Sequence, residues 1–581
     1  MASEEATLDL TISGTIASLL ESYRRMGIPI QRYLFGILLP AFVFFLATLG
    51  VALLVNLPLG IKLPFPLLGL LLLGAAVFYP RVQLSQRKQA LNDRFHLMVT
   101  HMTVLSTTKI DRMEVFRALA SEDEYGELAT EMGRVVELVD TWNLSLDDAC
   151  RRRAKEVPSD ALADFFDRLA YTMGAGQSLE DYLLSEQDMI IENYKTIYEG
   201  TLGNLEVMKD LYLSMILSMT FALVFAVVLP ILTGTNPMMT VSAVIVLFIF
   251  VQTGFFVAIR SLAPYDPVWY HPEEITSPME RRLNVSFAAG VVLTLVFGFI
   301  SFGGFAGISP ITLDMIFFFW DPVPLSIYAV FPITPLLIPG LIIRQEEKKI
   351  KARDQEYPSF IRALGSTEGA KQSTTGAVLE SLREKEFGPL SENIDNLYKR
   401  LNMRIEPEKA WRHFTAESRS YLIQTFSEMY LIGRKMGGSP KQLGELISEN
   451  MNEVLQLRQQ RDQETTTLIG VLYGISAAAT FAFFIGLQVV NILSQMSLDL
   501  QTGSSNFEVN TLIHTSVYEI PIIEFLLITV IIFNALLSSL MIRTTDGGHK
   551  LNSYMHFVVL SWIGALVAIF TKLVVSSVIS I

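Results

Sequence analysis

A glycine pair followed by a serine and a lysine, Gly437 to Lys441, is the pattern in this chain closest to a phosphate-binding loop. A P-loop needs its backbone N–H groups and its lysine in the frame G-x-x-x-x-G-K-[ST]. That frame occurs nowhere in the 581 residues. We therefore interpret the glycine pair as a turn between two helices, and the sequence predicts no nucleotide site.

Metal-binding and catalytic patterns are also missing from the sequence. His96 and His101 are five positions apart, which is off the i, i+4 spacing that places two ligands on one helix face, and no H-E-x-x-H motif occurs. The single cysteine, Cys150, can form neither an intramolecular disulfide nor a thiolate metal cage. No nucleophile and base stand out as a pair in the apolar segments. We predict no metal, no cofactor and no enzymatic activity.

The composition predicts a membrane protein. The chain is 51% hydrophobic and only 18% charged, with a mean hydropathy of +0.40. Its net charge of −13 argues against a nucleic-acid partner, since such proteins carry a basic excess. We predict an all-α, polytopic membrane protein with two duplicated cytoplasmic helical-bundle domains.

Nine apolar runs are long enough, at about 1.5 Å per residue, to cross a hydrocarbon core about 30 Å thick. The predicted transmembrane helices are Leu34–Val55, Leu63–Pro80, Leu211–Leu232, Met238–Ile259, Asn284–Ile308, Val323–Ile343, Thr467–Leu493, Ile520–Ile542 and Phe557–Val575. Three prolines, Pro332, Pro335 and Pro339, are expected to kink the sixth helix.

Few ionisable side chains fall within these spans. Glu519 and Glu524 stand at the start of the eighth, and Lys572 stands near the end of the ninth, within snorkelling reach of an interface. A proton-coupled carrier needs a buried row of charges, which we do not find. This weakens a secondary transporter, although that alternative stays open because repeats and kinked helices recur in transporters.

The spans divide the chain into nine segments. We predict 1–33 as a cytoplasmic N-terminal segment containing a short helix, 34–80 as transmembrane helices 1 and 2, 81–208 as the first helical domain, 209–260 as transmembrane helices 3 and 4, 261–283 as a Pro-rich cytoplasmic loop, 284–343 as transmembrane helices 5 and 6, 344–466 as the second helical domain, 467–542 as transmembrane helices 7 and 8, and 543–581 as a loop with transmembrane helix 9. Because Lys and Arg are enriched in cytoplasmic loops, we place both helical domains and the N-terminus inside and the C-terminus outside. Lys62 is then the only basic residue in the loops on the outer side.

The helical domain occurs twice. A shift of 261 residues aligns Ala410-Trp411 with Ala149-Cys150 and Phe426 with Phe165, and a shift of about 262 aligns spans two and three with spans six and seven. Because each unit holds four spans, we predict a parallel repeat with a pseudo-twofold axis along the membrane normal. The matched turn residues, in which glycines end one helix and a serine begins the next, are Gly174, Gly176, Ser178, Gly437, Gly438 and Ser439.

Charge distinguishes the two domains. The first has 14 Lys and Arg against 23 Asp and Glu, whereas the second has 20 against 19. The grouped cations of the second domain are a candidate docking surface for an acidic cytoplasmic partner. The alternative is that they form a solvated face beside an anionic membrane. The candidate docking residues are Lys399, Arg400, Arg404, Lys409, Arg412, Arg434, Lys435 and Lys441.

The repeated turn, in Tyr171 to Leu183 and in Tyr430 to Ser439, resembles that of the type II secretion F-domain family. The nine predicted spans, the apolar hairpin before each domain and the extra final span are similar to the archaeal branch of that family, most closely its archaellum assembly platforms, with archaeal type IV pilus platforms close behind. This resemblance implies a cytoplasmic hexameric ATPase as partner and filament subunits, archaellins or pilins, at the transmembrane helices. We also expect a homodimer.

These lines combine into one hypothesis of function. Because the sequence has no nucleotide site, we hypothesise that the protein is driven by a partner ATPase that binds its helical domains. Motion then passes along continuous helices into spans three and seven, which insert filament subunits, with filament rotation as a further output left open. An adhesion-pilus or secretion platform of the same family remains an alternative.

Overall fold

The computed structural model describes residues 30–54, 64–108, 110–264, 266–272, 278–305, 313–317, 322–371, 375–502 and 519–579. Regular structure in this described part is helical, and it contains no strand, which confirms the all-α class. Residues 1–29 of the short helix predicted for 1–32 lie outside the described residues. The chain divides into two compact units, Met1–Ile190 and Ile191–Ile581.

The first unit contains the first predicted hairpin and most of the first helical domain. Its longer helices are α1 (Leu39–Leu54), α2 (Pro64–Asp93), α3 (Phe95–Ser106), α4 (Arg112–Ala120), α5 (Glu127–Asp140), α6 (Leu146–Ala154) and α7 (Asp160–Gly174). A short α-helix, Ile30–Tyr33, and a π-helix, Leu34–Leu38, precede α1, and α8 (Leu179–Val228) begins in this unit. The spacing of Ser145 and Asp148 predicts a capped helix start, and the Ser145 hydroxyl accepts a hydrogen bond from the Asp148 N–H at the start of α6.

Aromatic packing forms the core of the first domain. Phe165 and Phe166 of α7 are fully buried, and the Phe165 ring meets Phe95 of α3 edge to face at 5.5 Å between centroids. The buried Glu131 of α5 accepts a hydrogen bond at 2.5 Å from Arg153 of α6. An ion pair so far from water needs further donors, and Arg87 of α2 supplies one at 3.3 Å.

The second unit contains the remaining spans and the second domain. Its longer helices are α9 (Pro237–Leu262), α10 (Pro278–Phe305), α11 (Leu337–Lys371), α12 (Thr375–Leu382), α13 (Ser391–Asn402), α14 (Pro407–Ser418), α15 (Tyr421–Lys435), α16 (Pro440–Thr502), α17 (Ile520–Asp546) and α18 (Ser553–Ile579). The prolines of the predicted sixth span lie in and beside a 3₁₀ segment, Phe331–Leu336, that joins a short helix to α11.

Eight helices in the described residues are long and apolar enough to cross a membrane, which confirms a multi-pass membrane protein. The predicted second span falls in α2, which is not one of the eight, so the count of nine stays a prediction. Between the apolar faces, Asn534 of α17 accepts a hydrogen bond from Gln252 of α9 at 2.6 Å and donates one to Ser476 of α16 at 3.1 Å. Lys572 of α18 pairs with Glu524 of α17, so the two ionisable groups neutralise each other.

The second domain is attached to the spans through the long helices α11 and α16. They cross where Gly365 faces Gly444, and a Cβ at Gly365 would lie 2.2 Å from the Pro440 carbonyl oxygen. Only glycine permits the two backbones to approach this closely. Because α16 runs without a break from the glycine turn through the seventh span, the second domain and that span share one helix.

Helix bounds in the two domains follow the predicted shift of 261. Helices α7 and α15 begin 261 positions apart and end 261 positions apart. Before α6 and α14, Asn143 and Arg404 have positive φ angles of 50° and 59°, unusual for residues other than glycine. These matches support the predicted duplication.

Candidate functional site

The predicted turn residues lie between α7 and α8 and between α15 and α16. Gly176 and Gly437 adopt φ angles of +84° and +87°, in the left-handed region that favours glycine. The Gly438 N–H donates to the Gly433 carbonyl at 2.8 Å, and the Ser178 hydroxyl accepts from the Asp181 N–H at 3.0 Å. Gly174 is the last residue of α7, and Ser439 precedes the first residue of α16.

Ion pairs within the second domain neutralise many of the candidate docking cations. The exposed lysines pair locally: Lys399 with Asp395, Lys409 with Glu406, Lys435 with Glu408 and Lys441 with Glu445. Arg400 and Arg434 are less exposed and pair with Glu417 and with the fully buried Glu368. Arg404 stands at the positive-φ corner after α13, and Arg412 lies in α14. These pairs imply that Arg400 and Arg434 stabilise the domain itself, so they are poor positions for testing a surface.

A group of charges at the base of the second domain forms a connected polar site. We call it the ionic junction; its members are Asp266, Lys351, Asp354, Arg458, Arg461, Asp462 and Asp546. Arg458 of α16 pairs with Asp266 of the 261–283 loop at 2.5 Å and with Asp354 of α11 at 3.0 Å. All three side chains are at most 10% exposed. Water therefore screens these pairs little, and loss of one partner would leave a buried charge uncompensated.

The other cations of the ionic junction extend it to the C-terminal end of α17. Arg461, one turn after Arg458, donates to the Thr545 carbonyl oxygen at 2.5 Å. Lys351 of α11 bridges Asp462 of α16 at 2.8 Å and Asp546 of α17 at 2.9 Å. The seven members line a cavity of about 30 Å³, which is large enough to hold a water molecule. Four carboxylates thus face three cations in a partly open space.

A short extended segment of the 261–283 loop lies against the second domain. Trp269 and Ser420 form an isolated antiparallel bridge. The Tyr270 N–H donates to the Arg419 carbonyl at 2.8 Å, and the Tyr421 N–H donates to the Val268 carbonyl at 3.1 Å. We call residues 266–271 the strap. It satisfies the N–H at the first position of α15, which a helix cannot satisfy internally.

Glu347 of α11 fastens the strap to the loop after α17. Its buried carboxylate accepts hydrogen bonds from Trp269 Nε1 at 2.9 Å, the His549 N–H at 2.5 Å and Asn552 Nδ2 at 2.6 Å. The rings of His271 and His549 stack at 5.6 Å between centroids. Burial, together with His271 and neighbouring cations, lowers the pKa of His549 to about 4, so this imidazole is neutral near pH 7.

Sequence reasoning did not predict the ionic junction or the strap. The members of its central pair, Asp266 and Arg458, are 192 positions apart, and no local period links them. A weaker signal was present, since Arg458 and Arg461 are three apart and hence on one helix face, and Trp269-Tyr270 is an aromatic pair in a Pro-rich loop.

Comparisons with known proteins agree with this architecture. Residues 98–228 match the model of the family described as type II secretion system (T2SS), protein F. The chain is 33% identical to the Flagella accessory protein J of Methanocaldococcus jannaschii, over 96% of this chain and 97% of that protein. It is 31% identical to the Flagella accessory protein J of Methanococcus voltae, over 96% of this chain and 98% of that protein. No solved structure matches the chain.

Proposed function

The chain belongs to the family of the Flagella accessory protein J, and from this membership we propose that it couples a cytoplasmic ATPase to filament growth. The family and the membrane helices make it a membrane platform of an archaellum-like or type IV pilus-like assembly. The finer proposal is that a hexameric ATPase engages the helical domains and that filament subunits enter the filament base beside the spans. Rotation of the filament is a further output of the same motion.

The ionic junction is the observation that carries the coupling proposal. Arg458 lies on α16, the 63-residue helix that continues from the second domain into the seventh span. At about 1.5 Å per residue this helix is about 95 Å long. Its buried pairs with Asp266 and Asp354 fix it to the strap and to α11. A displacement of the second domain therefore moves several spans together rather than bending one helix.

We place the ATPase contact on the exposed cations of the second domain. Lys409, Lys435 and Lys441 are each more than 60% exposed and make only surface pairs, which contribute little to folding. An acidic partner could replace these pairs at a small cost in free energy, and the complementary charges would raise its association rate. The predicted orientation, with the domains and N-terminus inside and the C-terminus outside, places this surface in the cytoplasm.

Filament subunits would meet the protein at its spans. Large apolar side chains stand exposed on α8, including Phe221 and Phe225, each 63% exposed, and on α9, including Phe250 at 64%. Such a surface suits lipid and equally suits the apolar helix of a filament subunit. We propose that subunit helices pass along this surface.

The coupling is tested with Arg458→Gln in cells that lack the native gene and in purified full-length protein in nanodiscs. We expect the variant to bind the purified ATPase as the wild type does, because Arg458 is buried, and to lose filament assembly. The matched control is Arg362→Gln, which removes an exposed arginine 3.7 Å from Glu449 in the same domain and should leave assembly unchanged. Wild-type filament numbers at equal membrane abundance of Arg458→Gln would refute transmission through the ionic junction.

The docking surface is tested separately. Lys409→Glu combined with Lys435→Glu should reduce ATPase affinity by about tenfold or more, since opposed charges become like charges. Lys371→Glu combined with Lys385→Glu makes the same change in net charge at two other exposed positions of the domain. An equal loss of ATPase affinity in the two double variants would indicate a general charge effect and would remove this surface from the proposal.

A further inference from the structure

An exposed apolar stripe runs along α8 up to the start of the third predicted span. Ile197, Val207 and Leu211 of this stripe are 53%, 58% and 50% exposed. The buried residues of the same stretch, such as Leu202 and Leu205, pack into a cluster with α16. At about 100° of rotation per residue, these two leucines lie on the other side of the helix. The stripe therefore faces away from the part of the protein against which α8 packs.

Lipid does not cover this stripe. Glu199, Glu206 and Asp210 are exposed beside it on the same helix. Charged side chains at this density keep the stretch out of the hydrocarbon core of the bilayer. Large apolar side chains that stand together in water are a sign of a surface for another protein.

The spacing of the stripe is that of a coiled coil. Its positions are separated by alternating steps of three and four residues, as the a and d positions of a heptad are. We call the residues at these positions the α8 seam; they are Ile197, Gly200, Asn204, Val207 and Leu211. The flanking e and g positions between 196 and 208 hold the uncharged residues Thr196, Thr201, Gly203 and Met208. Two copies of this helix can therefore pack along the stripe without like charges meeting there.

We propose that the α8 seam binds the α8 seam of a second copy of the chain. Two copies in one membrane share one orientation, so a twofold axis along the membrane normal makes their α8 helices parallel. In a parallel pair, each a or d residue faces the same residue of the other helix. The predicted homodimer would thus form through a short two-stranded coiled coil.

Asn204 favours a second copy over an unrelated apolar helix. An asparagine at a single a position pairs with the same asparagine across a parallel coiled coil and fixes its register. Against an apolar residue, the Asn204 amide would lose its water without gaining a hydrogen bond. Gly200 fits a close approach of two helices, because in the described part of the chain a Cβ there would meet nothing within 4 Å. Nothing described in its own chain therefore requires this residue, which weakens a helix relative to alanine.

The second copy of the repeat lacks this stripe. The buried residues of α8 and α16 match at a shift of 263, as Leu205 does with Leu468. At that shift the counterparts of the α8 seam are Gln460, Gln463, Thr467, Gly470 and Gly474. All five are exposed, and none has a large apolar side chain. The apolar stripe is therefore a property of α8 and not of the repeated helix.

The α8 seam is short, and the membrane compensates for its length. From Ile197 to Leu211 it is about 21 Å long, which is two heptads. Because α8 is already folded against α16, dimerisation does not have to pay for helix formation. Both copies are also held in one orientation by the bilayer, so they lose less freedom on association than two soluble chains would.

Single cysteines in the full-length protein test the α8 seam. Each seam residue is replaced in turn by cysteine, and disulfides between two differently tagged copies are measured on non-reducing gels in membranes of cells that lack the native gene. The native Cys150 is buried, so it does not compete. Seam cysteines should form the dimer about ten times faster than cysteines at the exposed Glu199 and Glu206. Cysteines at Gln463 and Thr467, the counterparts on α16, should give no dimer.

A charge swap at Asn204 tests whether this residue meets itself. With Val207→Cys as the reporter, copies that both carry Asn204→Asp should crosslink about tenfold more slowly than copies with Asn204, because like charges face each other. Copies that both carry Asn204→Lys should behave in the same way. When an Asn204→Asp copy and an Asn204→Lys copy are expressed together, the mixed dimer should form about tenfold faster than either dimer of like charge. The same swap at the exposed Gln463 should have no effect.

Three outcomes would overturn the inference. The first is a dimer yield at the seam positions no higher than at Glu199 and Glu206, including no dimer at any position. The second is an equal crosslinking rate for like and opposite charges at Asn204. The third is a disulfide that joins the seam cysteines to a different membrane protein in place of a second copy, which would assign the α8 seam to that protein.

Discussion

Replacing Arg458 by glutamine should loosen the strap far more than replacing an exposed arginine of the same domain. The side chains of Arg458, Asp266 and Asp354 are 10%, 9% and 1% exposed, so the substitution leaves two buried carboxylates without their main partner. Removing one member of a buried pair costs about 3–5 kcal/mol. At about 1.36 kcal/mol per factor of ten, opening of the site should become about a hundred to a few thousand times more frequent.

Hydrogen exchange of the Tyr270 and Tyr421 amides measures this opening, because both N–H groups bond across the bridge. Arg362→Gln breaks an exposed pair worth about 1 kcal/mol at most, so it should change exchange less than about fivefold. Asp266→Asn, added to Arg458→Gln, should recover part of the protection, since it removes one unpaired buried charge. Unchanged exchange in Arg458→Gln would show that the ionic junction does not hold the strap and would refute the reasoning.

Three further predictions concern stability and are read by thermal unfolding of the full-length protein in detergent. Glu131→Ala should destabilise the first unit by about 3 kcal/mol, because the buried Arg153 loses Glu131 and keeps only the more exposed Glu156 as a partner; a change below about 1 kcal/mol would contradict this. Gly437→Ala should cost about 1–2 kcal/mol from the positive φ alone, since a Cβ there meets nothing within 4 Å, and Gly437→Asn should cost less. The pKa of His549 is about 4 in the folded state, below its usual value of 6.5. The contribution of this residue to the free energy of unfolding is therefore fully present above pH 6.5 and is lost as the pH falls toward 4. The stability difference between the wild type and His549→Gln should therefore decrease by about 2 kcal/mol from pH 7 to pH 5. The comparison must be a difference, because burial raises the pKa of the neighbouring Glu347 to about 7, which makes both proteins more stable as the pH falls.

Features that depend on local chemistry were predictable from the sequence. The Ser145 cap follows from side chains three positions apart, and the apolar runs predicted the membrane helices because length and hydropathy are sufficient. The helix starts at Asp160 and Tyr421 keep the predicted shift because the same serine cap precedes both.

Features that depend on long-range pairing were not predictable. In the sequence, Glu347 follows the sixth predicted span and is one of several charged residues beside a membrane. In the structure it is only 4% exposed and binds Trp269 and Asn552, which are 78 and 205 positions away. The reverse holds for some of the candidate docking residues, which were predicted to form a surface but pair inside the domain. Arg434 was predicted to be part of a surface, but it pairs with the fully buried Glu368 of the same domain. Charge counting cannot distinguish these cases, because the deciding quantity is exposure in the folded chain.

The corner between α14 and α15, at Ser420, connects the second domain to the proposed mechanism. On the second domain, the strap joins the corner at Ser420 to Asp266, and Asp266 joins it to Arg458 on α16. Movement of this corner is therefore transmitted to the helix that forms the seventh span. The second domain is thus connected to the spans by its long helices and by the strap, and a partner that displaces this domain would act on both attachments at once.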